Sequence, residues 1–84
     1  MIVTLKSGTK FDVFRHVLGP ENIRHNDFVE IDGQLARILE IQRGCPSINK
    51  FGSGFTICLV ETTGGKRTTF RPVRSVQVWR GKRV

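Results

Sequence analysis

A chain of 84 residues has room for one domain with a small core, burying about 60–65% of the surface its unfolded form exposes, and leaves little room for an enclosed active-site cleft. A hydrophobic fraction of 38%, with six Phe and one Trp, supports a packed fold and argues against disorder. The formal net charge of +7 is carried at one end, because every acid lies at or before Glu61 while Lys66, Arg67, Arg71, Arg74, Arg80, Lys82 and Arg83 all follow it.

The chain begins with a period-2 pattern. Ile2-Val3-Thr4-Leu5, a turn at Lys6-Ser7-Gly8-Thr9, and Lys10-Phe11-Asp12-Val13-Phe14 predict an N-terminal β-hairpin within residues 1–14. Residues 15–26 read as a connector: Gly19-Pro20 breaks a strand, and Glu21-Asn22-Ile23-Arg24 fits one short helical turn with Pro20 near its start. The clearest hairpin follows, with Phe28-Val29-Glu30-Ile31, a two-residue Asp32-Gly33 turn, and Leu35-Ala36-Arg37-Ile38-Leu39-Glu40-Ile41. Leu35, Ile38, Leu39 and Ile41 also fit a helix face, but the Asp-Gly turn and the short segment favour a strand.

A polar loop over residues 43–54 comes next, of a length that often carries function. Phe55-Thr56-Ile57-Cys58-Leu59-Val60 reads as the most buried strand, and Thr62-Thr63-Gly64-Gly65 turns it into Lys66-Arg67-Thr68-Thr69-Phe70. Arg71-Pro72-Val73-Arg74 predicts a bend, Ser75-Val76-Gln77-Val78-Trp79 a last strand, and residues 80–84 a frayed basic tail. Short strands between closely spaced turn signals predict an all-β fold. The expected architecture is a partly open, SH3-like antiparallel barrel of six or seven strands over residues 1–79.

Little in the chain points to catalysis. The acids are scattered, His16 and His25 sit in or beside the connector, and Gly52-Ser53-Gly54 lacks the Gly-Lys-Ser/Thr ending of a phosphate-cradling loop. The expectation is a non-enzyme with no cofactor and no metal, since neither Cys-x-x-Cys nor His-x-x-x-His spacing occurs. Cys58 alternates with apolar neighbours and reads as a small core hydrophobe, Cys45 as a loop thiol. A reduced pair fits the cytoplasm. No apolar run approaches the ~18 residues that span a bilayer, so no membrane partner is expected.

Binding to a polyanion is the reading the charge favours. If the last two strands pair or neighbour each other, Lys66, Arg67, Arg71, Arg74, Arg80, Lys82 and Arg83 form one stripe along a phosphate backbone. Phe51 and Trp79 are the rings that could stack on bases, with packing onto the barrel rim and capping of the core as their structural alternatives. The expected partner is RNA or another single-stranded nucleic acid, RNA being favoured. An acidic protein surface is the alternative, met by the 43–54 loop and a strand edge of an interaction module, adaptor or small inhibitor. Homodimerisation by strand pairing is also open.

Residues 26–79 resemble the N-terminal SH3-like (KOW-type) domain of the hypusine-bearing translation factor and elongation factor P. The likeness is carried by Asp27-Phe28-Val29-Glu30-Ile31-Asp32-Gly33 and the strand after it, by a glycine loop containing Lys50, by residues 55–60, and by Thr63-Gly64-Gly65-Lys66 leading to Phe70. The resemblance implies the barrel, and it puts Lys50 near a modified lysine that reaches into the ribosome. Here that loop reads Asn49-Lys50-Phe51-Gly52-Ser53-Gly54, unlike either family pattern, and a hairpin precedes the barrel.

Overall fold

The computed structural model describes residues 1–44 and 55–84; the expectations for Cys45, Lys50 and Phe51 lie outside the described residues. Seven strands, β1 (Ile2–Thr4), β2 (Lys10–Leu18), β3 (Phe28–Ile31), β4 (Gln34–Gly44), β5 (Phe55–Thr62), β6 (Arg67–Phe70) and β7 (Val76–Arg83), form one antiparallel sheet in the order β1-β2-β7-β3-β4-β5-β6. The sheet curls so that Phe70 of β6 packs against the same core as Val76 of β7, although among the described residues β6 bonds only to β5. The fold is the expected all-β, partly open SH3-like barrel.

The β3–β4 hairpin closes as its sequence predicts. Asp32 and Gly33 have φ of 50° and 81°, the left-handed pair that a two-residue turn matched to strand twist requires. Leu39 marks a bulge, because the register with β5 shifts between Ile38 and Glu40.

Two expectations are corrected. The connector begins later than predicted, because β2 runs on to Leu18, leaving only Pro20–Asn22 as a short 3-10 turn. The tail is not frayed, because β7 continues to Arg83. One cause explains both: the two misread stretches belong to strands that pair with each other along their length, from Phe11↔Arg83 to Leu18↔Val76.

Alternation along β3 and β7 feeds two cores, one on each side of the sheet. Successive residues of a strand face opposite ways, so Val29 and Val78 enter a core with Ile38, Cys58 and Val60. Phe28 joins Val3, Phe11 and Val13 in a second core, and Trp79 packs against that cluster, half-buried. The rings of Phe11 and Phe28 meet edge to face, 5.4 Å apart at 66°. That geometry contributes about 0.5–1.5 kcal/mol beyond area burial. Cys58 is a free, fully buried thiol. Burial pushes its pKa up, against a smaller opposing pull from the charge of Arg43.

Candidate nucleic-acid interface

The predicted contact residues divide by what the fold asks of them. Arg80 shares the face of β7 that carries Val78, and there it meets Asp27, whose side chain is 3% exposed. The approach to β3 is pinned by Asn26 N–H donating to the Ile38 carbonyl at 3.0 Å and by Ile38 N–H donating to the Asp27 carbonyl at 2.8 Å. With the backbone so fixed, Arg80 donates through Nε to Asp27 Oδ1 and through Nη2 to Asp27 Oδ2, both at 2.8 Å. Nη2 also donates to the Asn22 carbonyl at 2.8 Å, and Arg24 N–H donates to Asp27 Oδ2 at 2.8 Å. The hydrogen bond to Asp27 pushes the Arg80 pKa further up, keeping the guanidinium charged. Arg80 therefore locks β7 to the start of β3, with its Nε and Nη2 donors committed to the protein.

Arg67 is paired as well, Nε to Glu61 Oε2 at 3.0 Å, but its side chain is 65% exposed. A surface pair of this kind is worth about 0–1 kcal/mol and exchanges readily for a phosphate. Lys66, Arg71, Arg74, Lys82 and Arg83 are all exposed. Among the described residues the ion pairs are Met1 amino to Asp12, Arg67 to Glu61 and Arg80 to Asp27, so none of those five faces an acid within ion-pairing distance.

The last two strands do not pair, since β6 bonds to β5 while β7 bonds to β2 and β3. Of the two ways the last strands could meet, pairing or neighbouring, β6 and β7 use only the second, through Phe70 and Val76 on one core. The bases gather differently, through the turns. The β5–β6 turn is closed by Gly65 N–H to the Thr62 carbonyl and Thr62 N–H to the Lys66 carbonyl, each 2.8 Å, with Gly65 at φ 91°. The aliphatic chain of Lys6, from the β1–β2 turn, lies across Gly65, where a side chain's Cβ would come within 2.8 Å of the Lys6 Cδ. Lys6 is thereby brought against the β5–β6 turn that carries Lys66, whose own side chain lines a depression with Asp32, Gln34 and Thr68. Lys10 and Arg83 line one shallow depression beside the same hairpin turn, and Lys82 stands opposite Asp12 in the β2–β7 register.

From Lys66 the edge strand β6 leads to Arg71, about 16 Å away at ~3.3 Å per residue, and onward to Arg74 in the bend. Arg71 lines a depression with Arg43, Phe55 and Val73. Phe55 is 45% exposed, its ring lying over Gly44, where a Cβ would run into it. Arg43 donates through Nη2 to the Pro20 and Ile23 carbonyls at 3.2 and 2.8 Å, tying the 3-10 turn to the end of β4.

Sequence reasoning missed Lys6, Lys10 and Phe55 as parts of this surface. The first two sit in a charge-balanced half of the chain, and they join the C-terminal bases through space, Lys6 by its contact with Gly65 and Lys10 through the β2–β7 ladder. Trp79, offered as a stacking ring, packs against the second core and is half-buried.

Among the described residues no cluster of His, Cys, Asp or Glu is placed to hold a metal ion, and no helix is long and apolar enough to cross a membrane. Comparison with protein-family models, with curated proteins and with solved structures gives no match to the chain.

Proposed function

We propose that the chain is a non-enzymatic module that binds RNA or another single-stranded nucleic acid through its backbone, RNA being favoured. The observation that carries this reading is the contact of Lys6 with Gly65 in the β5–β6 turn, which joins the N-terminal hairpin to the C-terminal excess of positive charge. Phosphates would run from Lys6, Lys66 and Arg67 along β6 to Arg71 and Arg74, with Lys10, Lys82 and Arg83 adding to the field at the hairpin tips. Exposed Phe55 beside Arg71 offers a ring for one base, a contact worth about 1–3 kcal/mol. The sequence resemblance to the SH3-like domain of translation factors favours an RNA partner, and the buried free thiol of Cys58 suits the reducing cytoplasm.

Two double charge reversals test the track. Lys6→Glu with Lys66→Glu, and Arg71→Glu with Arg74→Glu, should each abolish binding to a labelled single-stranded oligonucleotide while leaving the circular dichroism spectrum unchanged. Full affinity in both variants would reject the track.

A further inference from the structure

Strands β3 and β7 meet at one point and then part. Among the described residues they are in register at Phe28↔Trp79 alone, although continuing that antiparallel register would set Glu30 opposite Gln77. Where those rungs would lie there is a gap of about 280 Å³, walled by Val29, Glu30, Phe70, Val76, Gln77 and Trp79. Phe70 reaches it from β6, which the curl of the sheet brings back toward β7. Val29 is buried, Phe70, Val76 and Trp79 are half-buried, and Glu30 and Gln77 are exposed. Apolar and aromatic walls with a few polar groups are the usual make-up of a ligand site.

Size and position narrow the occupant. Beyond Phe28 only three residues of β3 remain before the Asp32-Gly33 turn, about 10 Å of strand, which is too short to seat an added β-strand. The volume stands just below the roughly 300–1,000 Å³ usual for small-molecule sites and suits a single planar ring system. Phe70 ends β6 and Val76 begins β7, so the bend that carries Arg71 and Arg74 joins two walls of the gap. A strand whose phosphates rest on that bend presents its bases to the gap.

The polar pair selects among bases. Glu30 belongs to none of the ion pairs found among the described residues, and a carboxylate accepts hydrogen bonds without donating any. Of the four RNA bases, guanine alone sets two donors side by side on its pairing edge, N1–H and the 2-amino group, with O6 beside them as an acceptor. Adenine and cytosine put an acceptor nitrogen next to their one donor group, and uracil puts its one donor between two carbonyls. We propose that the β3–β7 gap takes up one guanine of the bound RNA, Glu30 accepting from N1–H and the 2-amino group, the Gln77 amide donating to O6, and Phe70 and Trp79 forming the aromatic walls. The inference rests on the proposed function and adds a base preference that phosphate contacts cannot supply.

The test uses labelled hexauridylate and the same strand with one central guanosine, adenosine, cytidine or inosine, titrated with the full chain while strand anisotropy and the emission of Trp79, the one tryptophan, are followed. The guanosine strand is expected to bind at least about tenfold more tightly than the uridine, adenosine and cytidine strands and to quench Trp79. Inosine keeps N1–H and lacks the 2-amino group, so its strand should fall between them. Glu30→Gln, at an exposed position, turns an N–H donor toward guanine's own donors and should bring the guanosine strand to the affinity of hexauridylate, circular dichroism confirming the fold. Loss of an acid raises affinity for every strand, so the ratio between strands is the readout. Equal affinity for all the strands, a guanosine preference that survives Glu30→Gln, or Trp79 emission unmoved by the guanosine strand would each overturn the proposal while leaving the phosphate track in place. Absence of binding by every strand at low salt would overturn both.

Discussion

Replacing Arg80 with alanine strips a buried carboxylate of its partner. Asp27 keeps one hydrogen bond, from Arg24 N–H, and loses the fork that holds both of its oxygens at 2.8 Å. Breaking a fully buried pair costs about 3–5 kcal/mol. Arg80 is itself 27% exposed, so water reaches part of the vacated space and about 2–4 kcal/mol is the expected loss. For a domain of this size each kcal/mol moves the melting temperature about 4–8 °C, which puts the fall at about 10–30 °C. Thermal and urea unfolding followed by circular dichroism measure it. Arg80→Lys, which keeps a charge but not the planar fork, should fall between alanine and the native residue. A double-mutant cycle with Asp27→Ala should return a coupling of at least about 1 kcal/mol. A loss within about 0.5 kcal/mol for Arg80→Ala, typical of a plain surface substitution, would refute the lock.

Other consequences are as direct. Gly81 faces the backbone of β2, where a Cβ would come within 2.7 Å of the Val13 Cα and closer still to the Asp12 carbonyl. Gly81→Ala should therefore cost about 1–3 kcal/mol in urea unfolding and speed amide exchange along the β2–β7 ladder, and unchanged stability would mean that the strands part freely. Cys58 should resist iodoacetamide in the native protein and react only on unfolding, as peptide mass mapping would show; rapid native labelling would contradict its burial. The raised thiol pKa has a defined sign: the unfolded thiol loses its proton first, so the Cys58 contribution to stability is complete below about pH 8.5 and declines as pH rises toward the folded value. That alkaline decline should be smaller in Cys58→Ala, and an identical decline would exclude Cys58 as its source.

What could be read from the sequence was local. Asp32-Gly33 announces its own turn, the alternation of residues 55–60 announces a buried strand, and both are found in place. The extensions of β2 and β7 carry no such signal. Arg15 and His16 look like a connector, and Arg80, Gly81, Lys82 and Arg83 look like a tail, until each is seen as the other's partner in the register. The role of Arg80 was hidden for the same reason, since Asp27 lies 53 positions away and a base within a basic run resembles any other phosphate contact. Trp79 illustrates a third limit. Its neighbour Val78 enters one core and Trp79 packs on the other, so alternation alone could not say which face is wet.

Fluorescence anisotropy of labelled single-stranded RNA, single-stranded DNA and duplex DNA, titrated at low and near-physiological salt, bears on nucleic-acid binding itself. With about four to six phosphates neutralised, log K should fall against log salt with a slope near −3 to −4 for single strands, and RNA should bind at least as tightly as DNA. Absence of binding to all three polymers at low salt would contradict the proposed function and assign the basic surface to an acidic protein.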